Sequence, residues 1–311
     1  MPVLLEVVAP VFGLVVLGFA AARLRILHEA GIKGLVDFVF SFAIPVLLLR
    51  STARLDLPED IPWSFLVAFY GGAFTTWALG MASARWLFHR GPDEGAIFGM
   101  AAGYSNTVLM GIPIVLTAFG PAATLPLFLI IATHSTLLMP LTLAALHWSR
   151  RGRASLGAQG WEVARAVVLN PIVLGLVAGL AMNLLNLAFP RPVDRTLELL
   201  GSAAVPCALF ALGAAVAGYP LGGDMRPAAV LSALKLCGHP LLVWVVGGTI
   251  LGIEGLWLSV AVVVASMPTG VNVYLFSARY SAASEVAART VLLASLASVV
   301  TISTLLLVLA G

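Results

Sequence analysis

Charge is what this chain of 311 residues has least of. Asp, Glu, Lys and Arg make up 10% of it against 60% hydrophobic residues, and the mean hydropathy is +1.04. A soluble domain carries about 25% charged residues. So little charge cannot cover the surface of a 32.4 kDa protein, which excludes a soluble fold and makes lipid the solvent of the outer surface. Cysteine is nearly absent as well. Cys207 and Cys237 both lie in apolar stretches, which gives no basis for a disulfide framework, a metal centre or redox chemistry and reads as two buried free thiols. No dense Lys/Arg run accompanies the net charge of +3, so nucleic acid is excluded as a partner. Enzyme signatures are missing too: there is no HExxH, no Gly-rich loop ending in Gly-Lys-Ser/Thr and no Gly-x-Ser-x-Gly. Gly222-Gly223-Asp224 sits in a loop, without a second intramembrane Asp, and makes no aspartyl protease. The longest connection runs only from Trp148 to Ala164, which leaves no room for the nucleotide-binding domain of a primary pump.

What the chain does have is apolar length. A bilayer core of about 30 Å needs roughly 20 mostly apolar residues per helix. Ten such stretches occur, at 5–22, 34–50, 62–85, 95–117, 122–147, 165–187, 196–217, 227–250, 255–276 and 285–310. They are continuously apolar rather than alternating, so helices are expected and a β-barrel is not. No signal peptide is expected, because Met1 to Leu5 carries no positive charge. Twelve Lys and Arg follow odd-numbered spans, among them Arg23, Arg85, Arg150 and Arg279; four follow even-numbered spans (Arg50, Arg54, Arg191, Arg195) and Lys235 lies inside the eighth. That bias places the odd-numbered loops in the cytoplasm and both termini outside.

An internal repeat divides the chain. An offset of 161 residues aligns the run from Pro10 to Ala20 with that from Pro171 to Ala181, and also Pro45 with Pro206 and Asp37 with Glu198. The expected domains are a first five-helix repeat at 1–147, a cytoplasmic linker at 148–164 and a second repeat at 165–311. An odd number of spans forces the second copy to enter the membrane inverted, the architecture of many secondary transporters.

The informative polarity is uncharged. The fourth span contains Gly99, Gly103, Tyr104, Ser105, Asn106, Thr107, Gly111 and Pro113, and the ninth contains Ser266, Pro268, Thr269, Gly270 and Asn272. Proline removes a donor and clashes with the preceding turn, and glycine weakens a helix, so both spans are expected to break. Offset 161 sets Pro268 opposite Thr107. Broken helices leave backbone groups that hydrocarbon cannot satisfy, so matched breaks point to a polar binding site; the plain alternative is two kinked helices with each Asn bonded to a neighbouring carbonyl.

Lys235 either raises the positive potential of such a site or titrates there, or it snorkels to the interface or caps carbonyls. His239, one turn on and followed by Pro240, reads as a structural histidine at a kink. His134, in Thr133-His134-Ser135-Thr136, reads as an interhelical hydrogen-bonding group. Glu6, Asp37 and Glu198 lie near helix starts, where the dipole favours acids.

The sequence resembles the auxin efflux carrier family, which includes plant auxin exporters and bacterial malate or malonate permeases. The matching pieces are Phe38 to Pro45, Ser105-Asn106-Thr107 with Gly111-Ile112-Pro113, Leu234-Lys235-Leu236 with His239-Pro240, and Pro268-Thr269-Gly270-Val271-Asn272. The resemblance implies an all-α integral membrane protein of ten transmembrane helices in two inverted five-helix repeats, related in fold to bile acid:sodium symporters. It implies a scaffold domain from spans 1, 2, 6 and 7, a transport domain from spans 3–5 and 8–10, and a crossover of the broken fourth and ninth helices. Substrate would sit there, at Ser105, Asn106, Thr107, Pro113, Pro268, Thr269 and Asn272, with Lys235 adding positive potential. The chain lacks the long central loop of the plant exporters and resembles the compact bacterial type, in a bacterial cytoplasmic membrane, as a homodimer through the scaffold. The expected function is secondary transport of a small organic anion, a carboxylate such as malate, malonate or an auxin-like acid, by an elevator movement. The alternative is a membrane-embedded sensor that binds its ligand without translocating it. No cofactor is expected. Carbonyls freed beside Asn106 and Thr269 are equally suited to sodium, so coupling to sodium, to protons or to neither stays open.

Overall fold

The computed structural model describes residues 9–55, 60–149, 169–219 and 222–309; among these the secondary structure is helical, with one isolated β-bridge. In chain order the α-helices are α1 (Ala9–Arg23), α2 (Glu29–Phe38), α3 (Ile44–Ala53), α4 (Ser64–Trp86), α5 (Pro92–Gly103), α6 (Ile112–Phe119), α7 (Thr124–Ser149) and α8 (Pro171–Leu184). They continue with α9 (Arg191–Ser202), α10 (Ala204–Val216), α11 (Arg226–Ala233), α12 (His239–Trp244), α13 (Gly255–Ala265), α14 (Val271–Arg279) and α15 (Ser284–Leu309). Wider π-helical turns join α2 to α3, lead into α6 and join α11 to α12; in each case proline follows as the second residue of the next helix (Pro45, Pro113, Pro240). A proline ring displaces the carbonyl four residues back, and a π turn absorbs that displacement without ending the helix.

Six helical segments are long and apolar enough to cross a membrane: Glu29–Ala53, Ser64–Trp86, Pro121–Ser149, Arg191–Val216, Arg226–Ile250 and Ser284–Leu309. The protein is a multi-pass membrane protein. The spans predicted at 95–117 and 255–276 are shorter helices because both are interrupted, as their glycine and proline content requires. The linker predicted at 148–164 lies outside the described residues except for Trp148 and Ser149, as do the ends of the first, sixth and tenth predicted spans. Exposed apolar side chains such as Val16, Leu17, Val177, Leu241, Val300 and Val308 form the surface that the scarcity of charge calls for. One expectation fails: Cys237 is exposed and Cys207 half-buried, and both are free. An apolar stretch in a membrane protein faces lipid as readily as core, so apolar neighbours do not imply burial.

The chain forms two compact units. The first contains the described residues of Met1–Ile61, Val108–Ala132 and Glu162–Gly218. In it α1 packs on α10 and α3 on α8 at glycines: a methyl group on Gly18 would overlap the Phe210 carbonyl, on Gly213 that of Val15, on Gly175 that of Pro45 and on Gly179 that of Leu49. Without an apolar driving force between helices in lipid, close backbone approach of this kind supplies the packing energy. At the end of α3, Asn183 Nδ2 donates to the Leu55 carbonyl at 2.8 Å, while Arg50 Nε meets Asp194 Oδ1 at 2.9 Å and Arg54 joins the same carboxylate. Glu198 completes the cluster with Arg50 and Arg195.

The second unit contains the described residues of Pro62–Thr107, Thr133–Trp161 and Tyr219–Gly311. Here α4 is the central post. Its Gly80 abuts the Phe98 carbonyl of α5, Gly103 abuts its Ala73 carbonyl, and Gly72 receives His239 of α12. Polar side chains tie α4 to α7: the Tyr70 hydroxyl and Thr133 Oγ1 are 2.7 Å apart, and Trp77 Nε1 donates to Thr142 Oγ1 at 3.2 Å.

Overpacking a buried helix contact costs about 1–3 kcal/mol, whereas alanine in place of an unhindered helical glycine gains up to about 1 kcal/mol. Gly18→Ala and Gly179→Ala are therefore expected to lower the melting temperature in detergent. Gly13→Ala, where an added methyl meets nothing within 4 Å, is expected to leave it unchanged or raise it.

Candidate functional site

The two interrupted segments meet inside the second unit. Helix α5 ends at Gly103, Tyr104 is extended (φ −88°, ψ 111°), and helical turns resume at Thr107. Helix α13 ends at Ala265, and α14 begins at Val271 after an extended Gly270. Between the breaks Asn106 N–H donates to the Pro268 carbonyl at 2.8 Å, and Gly270 N–H donates to the Tyr104 carbonyl at 3.1 Å. Ser105 and Thr269 thereby face each other as an antiparallel bridge. Gly270 is required here, since a methyl group on it would press on the Tyr104 ring at 2.9 Å.

Both breaks sacrifice a helical bond, and side chains replace what is lost. In a continuous α5 the Ser105 N–H would bond the Ala101 carbonyl. Instead Ser105 N–H donates to His134 Nε2 at 2.9 Å, and the Ala101 carbonyl accepts from Thr269 Oγ1 at 2.7 Å. At the other break the Ala265 carbonyl accepts from Lys235 Nζ at 2.5 Å. Lys235 is fully buried, so it does not snorkel; it caps a carbonyl at the C-terminal end of α13, where the helix dipole favours a cation. His239 Nε2–H can only donate to the Phe69 carbonyl, 3.2 Å away. The neutral ring therefore presents Nδ1 as an acceptor to Lys235 Nζ at 3.2 Å. Among the described residues no carboxylate pairs with Lys235.

The structure brings Ser105, Asn106, Thr107, Pro268, Thr269, Asn272 and, through Ala265, Lys235 into one neighbourhood. All are buried except Asn272, which is half-buried. Its Nδ2 donates to the Tyr104 hydroxyl at 3.2 Å, and that hydroxyl is hydrogen-bonded with Ser135 Oγ at 2.7 Å. Pro113 is buried in α6 and belongs to the first unit. His134 serves the interhelical hydrogen bond expected of it, but its partner is the backbone of the break itself. Its ring also packs against Tyr104 (centroids 4.6 Å) and Phe69 (5.7 Å), and the other face of the group continues from Phe69 to His239 (5.1 Å). Ser135, Phe69 and Ala265 carry no sequence signal beyond the polar run around His134, because their importance lies in which backbone group they reach.

A family model described as a membrane transport protein matches residues 3–306. The chain belongs to this family, that of the auxin efflux carriers. A protein of Rhizobium meliloti named "Putative malonate transporter" is 32% identical over 96% of this chain and 93% of its own length. An "Uncharacterized transporter" of Methanothermobacter thermautotrophicus is 28% identical over 85% of this chain and 84% of its own. The "Lysosomal cholesterol signaling protein" of Mus musculus is 27% identical over 70% of this chain, which corresponds to 26% of that longer protein. The auxin efflux carrier relationship makes the chain a membrane transporter and not an enzyme.

In this carrier the Thr269 hydroxyl is the sole described side-chain donor to the Ala101 carbonyl. Leaving a buried acceptor unpaired costs about 1–3 kcal/mol. Thr269→Val is expected to destabilise the protein by that amount in thermal melts, and Thr269→Ser to restore most of the loss.

Proposed function

We propose that this transporter carries a small organic anion, a carboxylate of the malonate class, by secondary transport, with the substrate held at the paired helix breaks. The observation that carries the reading is the pairing itself: two interrupted helices exchange hydrogen bonds at Asn106–Pro268 and Gly270–Tyr104, beside a buried Lys235 that has no carboxylate partner among the described residues. A buried ammonium needs a counter-charge, and an anionic substrate supplies one. The N-terminus of α14 adds backbone donors and a favourable dipole. The name of the Rhizobium relative is consistent with a small dicarboxylate.

The same proposal includes ten spans in two inverted repeats, crossing at the breaks, with spans 1, 2, 6 and 7 as scaffold and an elevator movement of the transport domain. Packing in the first unit supports the repeat. Offset 161 carries Gly18 to Gly179 and Leu49 to Phe210, so the contact of Gly18 with Phe210 maps onto that of Gly179 with Leu49. It likewise carries Val15 to Leu176 and Thr52 to Gly213; Gly213 abuts the Val15 carbonyl and Thr52 Oγ1 donates to the Leu176 carbonyl. A repeat related by a two-fold axis produces contacts that exchange in this way.

Uptake of labelled malonate into proteoliposomes tests the proposal. Asn106→Ala and Asn272→Ala are expected to reduce flux at least about tenfold at equal reconstituted protein, the effect of losing a hydrogen bond to a charged ligand. Flux unchanged in both variants, or binding without any flux in the unmodified protein, would sink it.

A further inference from the structure

One residue of the first break holds the second break at two points. The Tyr104 carbonyl accepts from Gly270 N–H at 3.1 Å, and two residues further on the Tyr104 hydroxyl accepts from Asn272 Nδ2 at 3.2 Å. The ring between these two oxygens is enclosed. Tyr104 is 4% exposed, its ring centroid lies 4.6 Å from that of His134, and it passes so close to Gly270 that a methyl group there would meet it at 2.9 Å. The far end is braced as well, since the hydroxyl is hydrogen-bonded with Ser135 Oγ at 2.7 Å. Asn272 is the opposite case: it is half-buried, and among the described residues the Tyr104 hydroxyl is the sole hydrogen-bond partner of its carboxamide.

We infer that Tyr104 is a positioning residue for transport: braced by Ser135, its hydroxyl sets the orientation in which Asn272 presents its carboxamide to the substrate. This rests on the proposed transport of an organic anion, in which Asn272 contacts the ligand. A primary amide nitrogen carries two hydrogens. Tyr104 takes one, and because the carboxamide is planar the direction of the other is then fixed, ready for a carboxylate oxygen. Without the tether the Asn272 side chain turns freely, and the rotamer freedom it loses on binding corresponds to about three- to tenfold in affinity. The hydroxyl is not what holds the fold together. Removing it leaves the Gly270 bond to the Tyr104 carbonyl and the ring packing in place, and both of its partners, Asn272 and Ser135, are half-buried, where water can replace a lost bond.

Calorimetric titration of the purified full chain in detergent with malonate, together with melting temperatures of the ligand-free protein, tests this role. Tyr104→Phe is expected to raise the malonate Kd about three- to tenfold and to leave the melting temperature unchanged. Asn272→Ser, whose side chain is too short to reach the hydroxyl, is expected to weaken malonate by at least the same factor. Adding Tyr104→Phe to Asn272→Ser is expected to change nothing further, because the tether then has no carboxamide to orient. A Tyr104→Phe protein that melts lower and binds malonate unchanged would make the hydroxyl structural and overturn the assignment. The full loss from Tyr104→Phe repeated in the Asn272→Ser background would also overturn it, since the hydroxyl would then act independently of Asn272. An unmodified protein that binds no malonate overturns the transport reading and the positioning role together, whereas binding that Asn272→Ser weakens and Tyr104→Phe does not overturns the positioning role alone.

Discussion

Two backbone hydrogen bonds, from Asn106 to Pro268 and from Gly270 to Tyr104, are what the second unit is built around. In hydrocarbon an unsatisfied peptide group costs several kcal/mol, so a transmembrane helix breaks only where something else receives its N–H and C=O groups. Each broken segment provides that for the other. Either break alone would strand its extended residues; together they form a short antiparallel bridge that neither sequence segment encodes by itself. The side chains around the bridge complete the accounting: His134 takes the Ser105 N–H, Thr269 takes the Ala101 carbonyl and Lys235 takes the Ala265 carbonyl.

This satisfaction of the backbone decides what is left for a ligand. Several of the backbone groups freed at the breaks are consumed in holding the breaks together. The unspent capacity lies in side chains, in Ser105 Oγ, Asn106 Nδ2 and His134 Nδ1, which have no hydrogen-bond partner among the described residues. Lys235 meets the carbonyl end of α13, the end of a helix at which the dipole favours a cation. The first unit solves a different problem with different means. It has glycines in place of polar bridges, and its helices approach backbone to backbone at Gly18, Gly175, Gly179 and Gly213, with the Arg50–Asp194–Arg54 cluster at one end.

Much of this was legible in the sequence, for identifiable reasons. Apart from their ends, the join of α9 to α10 and the breaks at 104–106 and 266–270, the described parts of the predicted spans are helical, because a long apolar run in lipid has no alternative to internal hydrogen bonding. The breaks at 104–106 and 266–270 were legible because Gly and Pro act on the local backbone. The fate of Cys237 was not, since apolar surroundings do not distinguish lipid from core. Lys235 was ambiguous for a similar reason: stem length allows snorkelling or capping, and only the position of the Ala265 carbonyl decides between them. His134 stood out as polar, but nothing local says that its Nε2 meets the Ser105 amide.

The sequence by itself determined that lipid is the solvent, that the chain is a bundle of apolar helices, and that two of these are interrupted by matched Gly, Pro and Asn. Those are consequences of composition and of local backbone sterics, which act over a few residues. The tertiary structure alone decided that the two interruptions bond to each other, that Lys235 faces inward to a carbonyl, and that His134 is held in one tautomer with a free N–H. Each of these depends on a partner more than 25 residues away in the chain, and no local preference specifies which distant group will arrive.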